Sequence, residues 1–459
     1  MTVGDDRDVR PGGATSTASE ADPNRYARPH RPRLIRFANG AASALGRVGL
    51  AQASLEPAGL IDAARKREGG APLEDESVVP RLERLVDSIE REARLNPLGR
   101  AITRGRLVTL LANRLRAEAV FRAHPEIVDV PLPAPVVITG LQRSGTTKLH
   151  RLLATDPRLR ALATYEALAP ALRLEQPQRR SRHTGDPRVR VARRAERGLR
   201  YLSPDYFAVH PVEHLAPEEE VLLLDQSLLS TVPEATLRVP SYALWVEEQD
   251  QRPAYEWLRK TLQLMSWQDA RAAAGAAPVD PAEAGARWVL KTPHHLEWLD
   301  TLFEVFPDAT VVQTHRDPAV TLASFCSMIA LGRGVFSDDV DPHEVGAHWG
   351  RKIARMLDRA MDTRERRSDA GFVDVSYYAL VRDGDAAARA ELERIYAAAG
   401  LELGPEVWAR IDAAARANQQ HKYGRHTYRL EDFGLSAEGV ERWFARYRAR
   451  FHVRHERAR

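Results

Sequence analysis

The chain has 459 residues, 44% of them apolar and 28% charged, with a net charge of only +4. That balance fits a globular protein able to bury a large core without staples, and it argues against a nucleic-acid binder. One cysteine, Cys326, excludes an internal disulfide framework, and no run approaches 18 consecutive apolar residues, so no membrane span is expected. The start of the chain is acidic and lacks the apolar run of a signal peptide. With a lone cysteine, this reads as a cytoplasmic protein. Six of the 67 basic residues are lysines, and arginine supplies the rest. A lysine at a strand end or in a tight turn therefore stands out.

Residues 1–32 are rich in Gly, Pro, Ser, Thr, Asp and Arg and read as a disordered tail. Residues 33–130 read as a helical N-terminal extension. Leu82, Leu85, Val86 and Ile89 follow helical spacing, and Leu107, Leu111 and Leu115 share one face of a run from about 98 to 123. Prolines at 131, 133 and 135 then lead into Val136-Val137-Ile138, a short β-branched run that reads as a buried strand. Gly140 and Gly145 bracket a polar turn, after which Leu149, Leu152 and Leu153 recur at helical spacing. Strand, glycine turn and helix form a phosphate cradle, because backbone N–H groups and the positive helix end converge on an anion.

The ATP-binding loop G-x-x-x-x-G-K-[ST] has lysine after its second glycine. Here Thr146 takes that place, Thr147 keeps the hydroxyl position, and Arg143 brings positive charge from within the turn. The missing lysine argues against a magnesium-bound triphosphate. A kinase with an atypical loop using Mg-ATP, or a nucleotide-binding module without turnover, are the alternatives.

Downstream, the basic stretch 173–200 is a solvated helix and loop or a lid near an anion. Ala216-Pro217 followed by Glu218, Glu219 and Glu220 reads as a helix start. His210 and His214, with Glu213 and Glu219, fall near an acceptor pocket; no metal site is expected. Another helix runs from about Pro253. Strands are expected at 288–290, 310–313 and 372–375, with helices near 295–306, 318–330 and 346–363. Strands alternating with helices predict an α/β protein with a parallel sheet. Arg316, at the exit of the 310–313 strand, and Ser324, eight residues on, can converge on one phosphate, which suits a guanidinium fork.

The two stretches together, Leu141-Gln142-Arg143-Ser144-Gly145-Thr146-Thr147 and Arg316…Ser324, resemble the sulfotransferases that use 3′-phosphoadenosine 5′-phosphosulfate (PAPS). The wording His315-Arg316-Asp317-Pro318 is similar to the bacterial branch related to the tyrosylprotein sulfotransferases. The resemblance spans roughly residues 131–435, within a sulfotransferase domain placed at 131–459. It implies a P-loop NTPase-like three-layer fold around the parallel sheet, with PAPS as cosubstrate and no metal. It implies that Arg143, Ser144, Gly145, Thr146 and Thr147 hold the 5′-phosphosulfate, and that Arg316 and Ser324 hold the 3′-phosphate. Tyr377 matches the family's V-x-Y-E-x-L stretch, with Tyr378 replacing the usual acid, and is expected near the 3′-phosphate or adenosine. Gln142 departs from the family's usual proline. The stretch 421–428 resembles the loop that closes over the nucleotide, with Lys422 and Arg425 reaching phosphates. Glu166, after the first helix, is the expected base, with His294 as its competitor. Lys291, a scarce lysine at a strand end, neutralises the leaving oxygen. The acceptor is expected to be a small molecule, lipid or glycan. Oligomeric state is left open.

Overall fold

The computed structural model describes residues 26–27, 29–47, 53–173, 185–275, 279–368, 370–417 and 428–456. Five strands form one parallel sheet: β1 (Val136–Gly140), β2 (Arg160–Ala161), β3 (Trp288–Lys291), β4 (Thr310–His315) and β5 (Phe372–Ser376). Their order across the sheet is β2-β3-β1-β4-β5, with β1 at the centre. Every pairing is parallel, and Gly140 lies opposite Thr314 at the carboxyl end of β1.

Alternation along the strands builds two apolar layers. Val137, Leu290 and Val311 face a large core with Leu258, Leu262, Phe325, Ile329 and Met356 from flanking helices. Val136, Ile138, Val312, Val373 and Val375 face the other way, onto Leu149, Leu152, Leu153, Leu392 and Ile395. Helices on both faces complete the three-layer α/β architecture that the motifs imply, and the carboxyl edge of the sheet is where ligands bind in such folds.

Before the sheet come α1 (Arg33–Arg47), α2 (Pro57–Arg67), α3 (Val78–Glu92) and α4 (Pro97–Ala123). Asn96 caps α4 by accepting from Gly99 N, with Pro97 in the first turn. Helices α2 to α4 share an apolar cluster with Leu228, Leu237, Val239, Tyr242 and Val246, which ties this block to the middle of the chain. The helix Pro318–Phe336 is apolar and long enough to cross a membrane, yet two thirds of its most apolar window is buried here, behind β4. It is a core helix.

The helix expected from residue 216 onward is displaced. Glu218 N donates to Leu162 O (2.7 Å) and Thr164 N donates to Ala216 O (3.0 Å), so this segment pairs in extended form with 162–164. A four-residue helix starts only at Val221. Backbone groups committed to a neighbouring segment cannot also open a helix, so Glu218 and Glu219 precede the helix and Glu220 is its N-cap.

Candidate active site

The turn after β1 adopts conformations that only particular residues tolerate. Gly140 has φ +139°, and a Cβ there would stand 2.3 Å from Thr314 Oγ1 and 2.6 Å from Thr314 O. Gly145 has φ +91°, with the Tyr377 ring 3.1 Å from where a Cβ would sit. Glycine is required at both for lack of a Cβ. Arg143 is itself left-handed (φ +69°). Helix α5 (Thr146–Leu153) then begins, and its first turn leaves N–H groups without intrahelical partners. Thr147 is exposed there, while Thr146 is buried.

The two motifs, distant in sequence, touch. Arg143 Nε donates to Ser324 Oγ (3.3 Å), and its terminal nitrogen donates to Val209 O (3.0 Å). In return, Arg316 donates to the carbonyl of Arg143 (2.8 Å). The Arg316 guanidinium lies over the Tyr377 ring, 3.9 Å from its centroid. Glu456 holds Arg316 from the far side at 2.7 and 3.3 Å. Among the described residues, these bonds engage three of the five N–H donors of Arg316. Asp317 caps the following helix through Ala319 N (3.0 Å) and is fixed by Arg448 (2.9 Å).

A second cluster stands at the end of β3. Lys291 is buried; its Nζ donates to Glu219 (2.5 Å) and lies 3.5 Å from Thr147 Oγ1. Thr292 Oγ1 donates to the other Glu219 oxygen (3.2 Å). Glu220 is fully buried, accepting from Lys291 N (2.7 Å) and bonded to His295 (2.7 Å), which reaches Tyr255 (2.8 Å). This second line holds the strand end and the 218–220 segment in register. Glu218 lies beside Glu219, and burial pushes its carboxyl up. His210 is driven down to about 4 by burial, against the pull of Glu219 and with the charges of Lys291 and Arg143 nearby, so its ring is neutral at pH 7. Arg143, Thr147, Lys291, Glu218, Glu219 and His210 thus form one polar cluster beside the loop.

Three of the expected site residues are buried and engaged within the protein. Glu166 is 3% exposed and doubly bonded to Arg160 (2.6 and 2.7 Å), while accepting from Ala163 N (3.0 Å). Arg160 and these hydrogen bonds outweigh burial and hold its carboxyl down to about 2. A carboxylate so engaged is a strut, poorly suited to take a proton. His294 is 2% exposed, packed against Tyr255 and Trp298 and near Thr231 (3.4 Å). Burial, with His295 and Lys352 close by, keeps it neutral, and its Nε2 has no hydrogen-bond partner among the described residues. Ser144 spends its hydroxyl inside the loop, on Leu141 O (2.5 Å) and Thr314 Oγ1 (2.6 Å), so it shapes the cradle rather than facing a ligand. Lys422 and Arg425 lie outside the described residues. His214 is bonded to Glu196 (2.6 Å), and among the described residues no group of three or more His, Cys, Asp or Glu could hold a metal ion.

A family model described as the sulfotransferase family matches residues 135–406, more than half of the chain and both motifs. Sulfotransferase STF1 from Mycobacterium tuberculosis H37Rv is 34% identical over 84% of this chain and 97% of that one, with a TM-score of 0.70. Sulfotransferase STF9 from Mycobacterium avium is 25% identical over 86% of this chain and 96% of its own, with a TM-score of 0.74. No curated protein sequence matches.

Proposed function

This chain belongs to the sulfotransferase family, and from that premise we infer that it moves a sulfuryl group from PAPS to a hydroxyl or amine acceptor. The observation that carries the choice of donor is the contact between the motifs. Arg143 reaches Ser324, and Arg316 reaches Arg143, so the residues proposed for the 5′-phosphosulfate and those proposed for the 3′-phosphate stand side by side in one hydrogen-bonded bracket. The glycine-shaped loop and the start of α5 offer N–H groups to the first; Arg316 and Ser324 serve the second. Tyr377, already under the Arg316 guanidinium, fixes that arginine's plane.

Sulfuryl transfer forms a bond from acceptor oxygen to sulfur as the bond from sulfur to the 5′-phosphate oxygen breaks. The acceptor proton must leave, and charge grows on the departing phosphate. Lys291, beside Thr147, is placed to neutralise that charge. We assign proton removal to Glu219, which shares its oxygens with Lys291 and Thr292 but, unlike the enclosed Glu166, keeps 22% of its side chain open to an incoming acceptor. The acceptor class, whether small molecule, lipid or glycan, is set by what enters past His210 and Glu218.

The test is ligand-dependent thermal stability with 3′-phosphoadenosine 5′-phosphate (PAP), adenosine 5′-phosphate and Mg-ATP. PAP at a hundred times its dissociation constant adds about 2.7 kcal/mol to the folded state. The expected order is PAP well above adenosine 5′-phosphate. Stabilisation by Mg-ATP alone would identify a kinase and overturn the donor assignment.

A further inference from the structure

Helix α1 is partitioned into three arcs. At 100° per residue, Ile35, Asn39 and Ala42 share one arc; all three are part-buried, and Asn39 Oδ1 accepts from Leu98 N (3.1 Å). This is the side seated on α4. A second arc carries Arg33, Arg36, Gly40 and Ser43, all exposed. The third, about 120° wide, carries Leu34, Phe37, Ala38, Ala41, Ala44 and Leu45, and it faces outward. Leu34 is 75% exposed, Phe37 79% and Leu45 46%. The sequence of α1 contains three arginines and no acid. The nearest basic side chain before it, Arg31, is neutralised by Asp338 (2.8 Å).

A helix that turns a continuous apolar stripe to solvent, bordered by arginine, has the form that lies in a bilayer interface. We propose that α1 docks the protein on an anionic lipid surface, with Leu34, Phe37 and Leu45 entering the acyl boundary and Arg33 and Arg36 meeting headgroup phosphates. The charge chooses this occupant. A second copy would set arginine arcs against one another. The tail, residues 1–25, has only Met1, Val3 and Val9 as large apolar side chains to cover the stripe. The proposal does not depend on sulfuryl transfer.

Flotation of the full chain with vesicles tests it. Vesicles of phosphatidylcholine with 30% phosphatidylserine should carry the protein up the gradient, and pure phosphatidylcholine vesicles should carry far less. Leu34→Asp with Phe37→Asp should lower the partition coefficient at least tenfold without shifting the melting temperature, because both side chains stand in solvent. Arg33→Ala should lower it about fivefold, the equivalent of about 1 kcal/mol per arginine near an anionic surface. Failure to float with anionic vesicles overturns the proposal, as does flotation that the double variant leaves unchanged. A wild-type dimer that the double variant converts to monomer, with no vesicle binding by either, would assign the stripe to a second copy instead.

Discussion

Replacing Glu166 by glutamine distinguishes a strut from a base. The substitution preserves shape and removes charge. Arg160, 3% exposed in its side chain, would then keep only Asp269 (3.1 Å) as an ionic partner. The native carboxyl is held down to about 2, against an ordinary value of 4.5. At about 1.4 kcal/mol per pH unit, that difference contributes about 3 kcal/mol at pH 7. A depressed carboxylate stabilises most above its unfolded pKa, and the contribution fades as pH falls through the folded one. Glu166→Gln should therefore unfold with a deficit of about 3 kcal/mol at pH 7, shrinking to about 1 kcal/mol at pH 3. Urea titration at both pH values measures the gap. Where both proteins are folded, turnover should agree within about threefold, whereas loss of a general base costs roughly 10²–10⁴. A hundredfold loss of turnover with little change in stability would refute the reasoning.

Arg316→Ala should weaken PAP by about 10- to 100-fold, the equivalent of roughly 1.5–3 kcal/mol for bonds to a charged group. Adenosine 5′-phosphate should weaken by about threefold or less, and equal losses by calorimetry would contradict the assignment of Arg316 to the 3′-phosphate. Gly140→Ala places a methyl 2.3 Å from Thr314 Oγ1 at a positive φ, so it should abolish PAP binding and lower stability by at least about 2 kcal/mol. Lys352 is fully buried among Glu297 (2.8 Å), Glu247 (3.1 Å) and Glu234 (3.5 Å). Among the described residues, Lys352→Met leaves three buried carboxylates to Arg351, Arg355 and His348 alone, and should cost about 3–5 kcal/mol in denaturant unfolding.

The parts legible from sequence are those decided locally. Val136-Val137-Ile138, Trp288-Val289-Leu290 and Thr310-Val311-Val312 announced β1, β3 and β4 because a buried parallel strand needs a nearly continuous apolar stretch, and β5 showed as an alternation in which Val373 and Val375 are buried between part-buried neighbours. β2 escaped because two residues, Arg160 and Ala161, carry no pattern. Gly140 and Gly145 announced the cradle because the turn demands their backbone freedom. What stayed hidden depends on distant partners. Nothing near Glu166 warns that Arg160 folds back onto it. The helix signal in Pro217-Glu218-Glu219-Glu220 is real in isolation, and pairing with residues 162–164 overrides it. Lys291 was recognisable by scarcity. Glu219 as its partner was legible only as an acid-rich run opposite a rare lysine.

The bracket formed by Arg143, Ser324 and Arg316 is assembled within the protein by its own hydrogen bonds. On the proposed assignment, it grips the two phosphate ends of the nucleotide; transfer leaves the 3′-phosphate untouched, and the 5′ end loses its sulfuryl group and gains charge while keeping its phosphate. The spent nucleotide therefore keeps nearly every contact that recruited the fresh one. Turnover would then be paced by escape of the by-product, and a cell running this enzyme would need to remove that by-product continuously to keep the cycle moving.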